Sequence, residues 1–191
     1  MTRHDAVDPR VTRTRQVVLS AVLEELAEVG HGQFTIESVA ARCGVGKSTI
    51  YRHWAGRSQL IIDAMRTLNT QPAPEPDGSP RARVRRLLHH LGHALTEGSL
   101  APAMPALIEA AERDPELRVL LSDYSTDRRR ALVDAIARGI DEGQMDATMD
   151  PELAAHALSG AIFYARLMTS TPMTGQVIDQ LITTVLGSPP Q

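Results

Sequence analysis

Cysteine and aromatic side chains are scarce in this chain, and its runs of apolar residues are short. Cys43 is the one cysteine in 191 residues; an internal disulfide is excluded, and the simplest role for the thiol is that of a small buried hydrophobe in a reducing compartment. No apolar run approaches the roughly 20 residues of a bilayer-spanning helix, and the opening MTRHDAVDPR lacks the apolar core of a signal peptide. The expected location is the cytoplasm. Signals for β-structure are missing too: there is no sustained alternation of β-branched residues, and no Asn-Gly or Asp-Gly turn sits between two such runs. Also absent is the first glycine of a nucleotide-binding loop. Gly46-Lys-Ser-Thr49 matches the end of the G-x-x-x-x-G-K-[ST] pattern, but five positions earlier stands Ala41, within a helical pattern rather than after a strand. A P-loop enzyme is therefore disfavoured. No nucleophile and base can be paired by spacing either, so neither an enzyme nor a cofactor is expected.

What the chain does have is helix punctuation. Asp8-Pro9, Ser79-Pro80, Asp114-Pro115, Asp150-Pro151 and Thr171-Pro172 each set a capping side chain before a proline, whose missing N–H costs nothing in a first helical turn. Gly30 and Gly143 follow helical patterns and read as stops. The fold class is all-α. Within QPAPEPDGSP, residues 71–80, four prolines and a glycine break any helix, which divides the chain into an N-terminal domain over 1–70, a linker over 71–80 and a larger helical domain over 81–188. The net charge of −3 is unevenly spread. Residues 1–70 carry nine Arg and Lys against seven Asp and Glu, and residues 71–191 carry eleven against sixteen; the positive excess lies in the half that holds the GKST stretch.

In that half, a first helix is expected over about 10–29, with Val11, Val18, Val22, Leu26 and Val29 on its inner face. Thr35 can cap a second helix from Ile36 to Cys43, Gly44-Val-Gly46 makes a short turn, and Lys47 to Trp54 forms the next helix, burying Ile50 and Trp54. The helix-turn-helix covers about 36–55. Lys47, Ser48, Thr49, Tyr51, Arg52 and His53 stay outward or at the margin, a set able to meet phosphates and base edges. Phe34-Thr-Ile-Glu-Ser-Val-Ala40, Gly44-Val45, Ile50-Tyr51-x-His53-Trp54 and Arg57-x-x-Leu60 together resemble the signature of tetracycline-repressor (TetR) type regulators. AMPALIEAAERDPEL, GQMDATMDPELAAHALSGAIFYARLM and the last helix are similar to one group of that family's C-terminal domains. The resemblance implies that Thr35, Tyr51, His53 and Arg57 engage the DNA backbone and that Lys47, Ser48, Thr49 and Arg52 lie near the bases. Gly46 stands where the family usually has a capping serine, Trp54 where it has phenylalanine and Arg57 where it has lysine. A double-stranded operator is the expected partner; a helical interaction protein without DNA binding is the alternative.

Beyond the linker, Val84, Leu87, Leu88, Leu91 and Leu95 form one stripe, followed by helical patterns over about 100–113, 115–142, 151–169 and 174–186. Ala154, Ala157, Ala161 and Ala165 recur beside Leu158 and Ile162, and the last helix offers Ile178, Leu181, Ile182 and Val185. Small residues permit close helix approach, and with the family's habit of dimerising there this set is the expected homodimer interface. Met104, Tyr124, Phe163, Tyr164 and Met168 are the expected walls of a pocket for a small, mostly apolar effector, between about residues 84 and 168. Arg128 or Arg166 could anchor a carboxylate of such a ligand, and Arg128 joins the expected pocket. Arg128, Arg129 and Arg130 otherwise read as a charged face answered by Asp123, Asp127 or Asp134. His89, His90 and His93 lie opposite the apolar stripe with no supporting ligand in sequence, so no metal site is expected.

Overall fold

The structure, a computed structural model, describes residues 9–67, 72–73, 78–98, 101–169 and 173–188, with side chains from residue 11 onward. Among these it is all-helical. The helices are α1 (Pro9–Gln33), α2 (Ile36–Cys43), α3 (Lys47–His53), α4 (Arg57–Thr67), α5 (Pro80–Thr96), α6 (Met104–Arg113), α7 (Pro115–Asp141), α8 (Pro151–Met168) and α9 (Gly175–Leu186). None is long and apolar enough to cross a membrane. The capping residues act as the proline pairs anticipate: Ala82 N donates to Ser79 Oγ at 3.2 Å, Leu117 N to Asp114 Oδ1 at 3.1 Å and Leu153 N to Asp150 Oδ1 at 3.0 Å. Asp8 and Thr171 lie outside the described residues, as does half of 71–80; α9 is capped instead by Thr174, whose Oγ1 accepts from Val177 N. Gly30 breaks α1 at a φ of 69°.

The chain forms two compact units. One holds α1 to α4 together with residues 102–121, that is, α6 and the start of α7. The sequence reading puts α6 in the second domain; in the structure it packs along α1, and Ser58 of α4 donates to Asp114 at 3.2 Å. The core of this unit gathers Val18, Val22 and Leu26 of α1, Phe34, Ile36 and Val39 around α2, and Leu60, Ile61 and Met65 of α4. Val11 does not join them: it sits in the exposed first turns of α1, and Val29 is only half-buried.

The other unit is built from α5, the remainder of α7, α8 and α9, with α5, α8 and α9 packed on one another. Contact is close where Gly92 of α5 faces α9, since a Cβ there would come within 2.7 Å of Ile178 Cδ1. Ala154, Leu158, Ile162, Ile178 and Ile182 fill this core and are at most 5% exposed. They are thus removed from the expected dimer interface, because the packing within one chain already covers them. Arg130 pairs with Asp127 at 3.1 Å as anticipated, but Arg129 reaches Glu152 of α8 instead.

A polar clasp closes the edge of α5 against α9. Arg85 donates to both oxygens of Asp179 at 2.7 and 2.9 Å, and His89 Nε2 lies 2.8 Å from Oδ1. Hydrogen bonding from Arg85, then from His89, holds the Asp179 carboxyl well below the usual carboxylate range. A carboxyl depressed on folding stabilises the fold above its unfolded pKa of about 3.9 and loses that contribution as pH falls below it. Asp179→Asn is therefore expected to lower the urea midpoint at pH 7 and to narrow the gap between wild type and variant at pH 3, measured by circular dichroism.

Candidate nucleic-acid interface

α2 and α3 owe their placement to the residues between them. Thr35 is extended and its Oγ1 accepts from Ser38 N at 3.0 Å, while Thr35 N donates to Ser38 Oγ at 3.3 Å, so two first-turn amides are satisfied by a capping box. Gly44 ends α2 at a φ of 68°, in the left-handed region where a Cβ is strained. Two residues later Gly46 opens α3 with φ −60° and ψ 137° and no side-chain cap. The glycines of GKST and its approach thus form an interhelical turn, and no strand precedes them among the described residues.

α3 has seven residues and one buried side chain, Ile50. Lys47, Ser48, Tyr51, Arg52 and His53 are exposed and Thr49 is half-buried; Thr35 before α2 and Arg57 at the start of α4 are exposed as well. The fold brings all eight sequence-predicted residues into one unit, from three consecutive elements. Tyr51 keeps 53% of its surface in water, a large ring left uncovered. Lys47 Nζ pairs with Glu37 Oε1 of α2 at 3.1 Å. Hydrogen bonding from Lys47 holds the Glu37 carboxyl below its ordinary value. Both groups are more than half exposed, so the pair is worth little and the ammonium can trade Glu37 for a phosphate. Behind this face, Arg42 of α2 donates to Glu25 at 2.7 Å and also reaches Glu28, both on α1, which pins the helix carrying the capping box.

A cluster that the sequence reading does not identify fixes the end of α3. The Trp54 ring is 2% exposed, and its Nε1–H donates to Asp63 Oδ2 of α4 at 3.0 Å. Asp63 also accepts from Gln59 at 3.1 Å, from Arg66 at 3.3 Å and from Arg15 of α1. The Arg15 guanidinium stands 5.1 Å from the centre of the Trp54 ring, within cation–π range. A signal for this was present: tryptophan in place of phenylalanine adds a donor that burial obliges to find an acceptor, and Asp63 lies nine residues on.

The expected effector residues fall in different units. Met104 belongs to the first unit and Tyr124, Arg128 and Phe163 to the second. Tyr164 and Met168, at 63% and 72% exposed, point into solvent and cannot wall a pocket within the chain. Arg166 is committed to backbone carbonyls, donating to Leu95 O at 2.8 Å and to Ala101 O at 3.2 Å.

Removing the shared acceptor leaves a buried indole N–H unpaired, and Asp63→Ala is expected to cost about 1–3 kcal/mol in thermal or urea unfolding. In the Trp54→Phe background the same change should cost clearly less, since the stranded donor is gone. Equal costs in the two backgrounds would remove the indole from the account.

Comparison with known proteins agrees with this geometry. Residues 18–64 match the family model described as bacterial regulatory proteins, tetR family, and residues 74–185 match that of the tetracyclin repressor-like C-terminal domain. The HTH-type transcriptional regulator AqdR of Rhodococcus erythropolis is 30% identical, over 85% of this chain and 80% of its own length. The DNA-binding transcriptional repressor TetR of Mycobacteroides abscessus is 28% identical, over 91% of this chain and 92% of its own. The crystal structure of the TetR family transcription regulator SCO0332 superposes with a TM-score of 0.70 at 28% identity, covering 93% of this chain and all of that one. With a helix-turn-helix of this construction and both family models matched, the chain belongs to the TetR family of transcriptional regulators.

Proposed function

We propose that the protein is a cytoplasmic, ligand-responsive repressor that binds a palindromic operator as a homodimer. The observation that carries the DNA-binding part is the exposed face of α3, where Lys47, Ser48, Tyr51 and Arg52 project from a helix anchored on its other side. Lys47, Ser48, Thr49 and Arg52 supply donors and a methyl group for base edges; Thr35, Tyr51, His53 and Arg57 surround them with phosphate contacts. The similar protein of Mycobacteroides abscessus is named a repressor, which supports that sign of regulation.

The dimer is supported by the outward side of α8. Leu153 is 69% exposed, Tyr164 63% and Met168 72%, with Ala157, Gly160 and Ala161 between them at helical spacing. An apolar stripe of this length left in water marks an interaction surface. Small residues at its middle admit a second helix closely, and a twofold axis would pair the face with itself. Half-buried Leu181 and Val185 of α9 and Ala165 of α8 extend it. Two recognition helices then meet successive major grooves about one helical turn apart. A small, largely apolar effector held in the second unit lowers operator affinity by favouring a conformation with the wrong spacing, and the operator weakens effector binding by the same factor.

A duplex from the DNA flanking the protein's own gene is expected to be retarded by the wild type, with affinity falling steeply as salt rises. Arg52→Ala and Tyr51→Ala should each weaken binding about tenfold or more, in the ~1–3 kcal/mol range of a lost specific contact, at unchanged melting temperature. Wild-type affinity in both variants would remove α3 from the interface.

Light scattering should give twice the 20.8 kDa chain mass. Ala161→Arg is expected to return it to one chain, since a long charged side chain in that seam clashes or is buried unpaired. An undisturbed dimer would place the interface elsewhere.

A further inference from the structure

Lys47 is the first residue of α3 and Glu37 the second of α2. Their side chains meet across the turn at 3.1 Å, both more than half exposed. The neighbouring ion pairs of this unit tie separate helices together: Arg42 of α2 to Glu25 and Glu28 of α1, and Arg15 of α1 to Asp63 of α4. Glu37 and Lys47 have no such task. α2 and α3 are already joined through residues 44–46 and fixed from beneath by Ile36, Val39 and Ile50, all buried. A pair this exposed adds little to the fold. What it changes is the condition in which Lys47 meets DNA.

A carboxylate oxygen offers the ammonium what a DNA phosphate offers it, a negative acceptor for a charge-assisted hydrogen bond. Lys47 has three N–H donors but a single positive charge. A phosphate drawn to it therefore either displaces Glu37 or shares the ammonium with it, and sharing sets two anions side by side. Each outcome costs affinity relative to an unpaired lysine. The cost is not the same on every duplex. Where the sequence gives Lys47 nothing to read, it can stay with Glu37 and forgo its contact, which caps the penalty. On an operator that uses Lys47, the penalty is met in full. The pair thus lowers operator affinity at least as much as affinity for other DNA.

From this geometry we infer that Glu37 is an autoinhibitory residue of the DNA-binding surface, an internal substitute for a DNA phosphate that occupies Lys47 until the operator displaces it. The inference rests on the DNA-binding reading of α3 above and adds to it a residue that works against binding. Such a residue suits a ligand-responsive repressor. An effector shifts the operator equilibrium only by its own difference in affinity for the two states, so an operator complex held less tightly is released by a smaller difference.

The test is gel retardation at low salt with the full chain, on the duplex from beside its gene and on an unrelated duplex of equal length. Glu37→Gln should bind the first duplex about two- to fivefold tighter than wild type, with a gain on the unrelated duplex no larger. In a Lys47→Met background the same change should gain clearly less, because the competition for the ammonium is gone. The gain should also shrink as salt rises. Damage to the fold cannot imitate this result: removing an acid from the first turn of α2 weakens that helix, and a weakened helix-turn-helix binds less, not more. Melting temperatures report folding, and Glu37→Ala is the second variant should Glu37→Gln melt early. Affinity at or below wild type in both Glu37 variants would overturn the inference, as would an equal gain with Lys47→Met present, which reduces Glu37 to a repelling charge. Retardation indifferent to Lys47→Met overturns it too, while Tyr51 and Arg52 still report on α3. A wild type that retards neither duplex fells the DNA-binding reading itself.

Discussion

A helix of seven residues is too short to persist in water by itself, since isolated helices need about 12–15 residues before they are even marginal. α3 is such a helix, and the proposed interface depends on its existing. Its shape is therefore imposed from behind, through Ile50 buried in the first unit and Trp54 fastened at its end by Asp63. From the front it can keep polar side chains in water because none is needed to hold it. The Arg15–Trp54–Asp63 cluster draws on α1, the end of α3 and α4 at once, so the recognition surface inherits the rigidity of three elements. The Arg42 pairs do the same for α2.

In the second unit α8 has two unlike faces. Leu158 and Ile162 are almost wholly covered by α5 and α9, while Leu153, Tyr164 and Met168 lie open. A helix apolar nearly all round belongs either in a large core or between two partners. Here the inner side is covered by α5 and α9, which meet closely at Gly92 and Ile178 and are held at their edge by Arg85, His89 and Asp179.

Helix punctuation made the fold class and the helix-turn-helix legible. Ser79, Asp114 and Asp150 cap by local chemistry, and Gly44 marks a positive φ by lacking a Cβ; these are signals that act within a few residues. Thr35 and Ile50 were legible for the same reason, as was the exposed polar set on α3. What stayed illegible depends on partners far apart in the chain. Periodicity shows that Leu158 and Leu153 are both apolar, but not which of them α9 will cover. It likewise could not tell that Tyr164 and Met168 point outward, that Arg166 would be drawn to Leu95 O, or that α6 would side with α1. The Trp54–Asp63 bond lay between these extremes, announced by a donor with no acceptor in view.

Gly46 has one more implication. Gly44 is held in the left-handed region, but Gly46 sits at φ −60°, open to any residue, and a Cβ there would meet nothing nearer than Ser48 Oγ at 3.9 Å. Its glycine is thus a choice rather than a steric necessity. A serine would add a few tenths of a kcal/mol, the net of a side-chain cap and a narrower set of unfolded conformations. The recognition helix therefore stands below the stability its own backbone permits, and the shortfall resides in the entropy of the denatured ensemble as much as in any bond missing from the folded one.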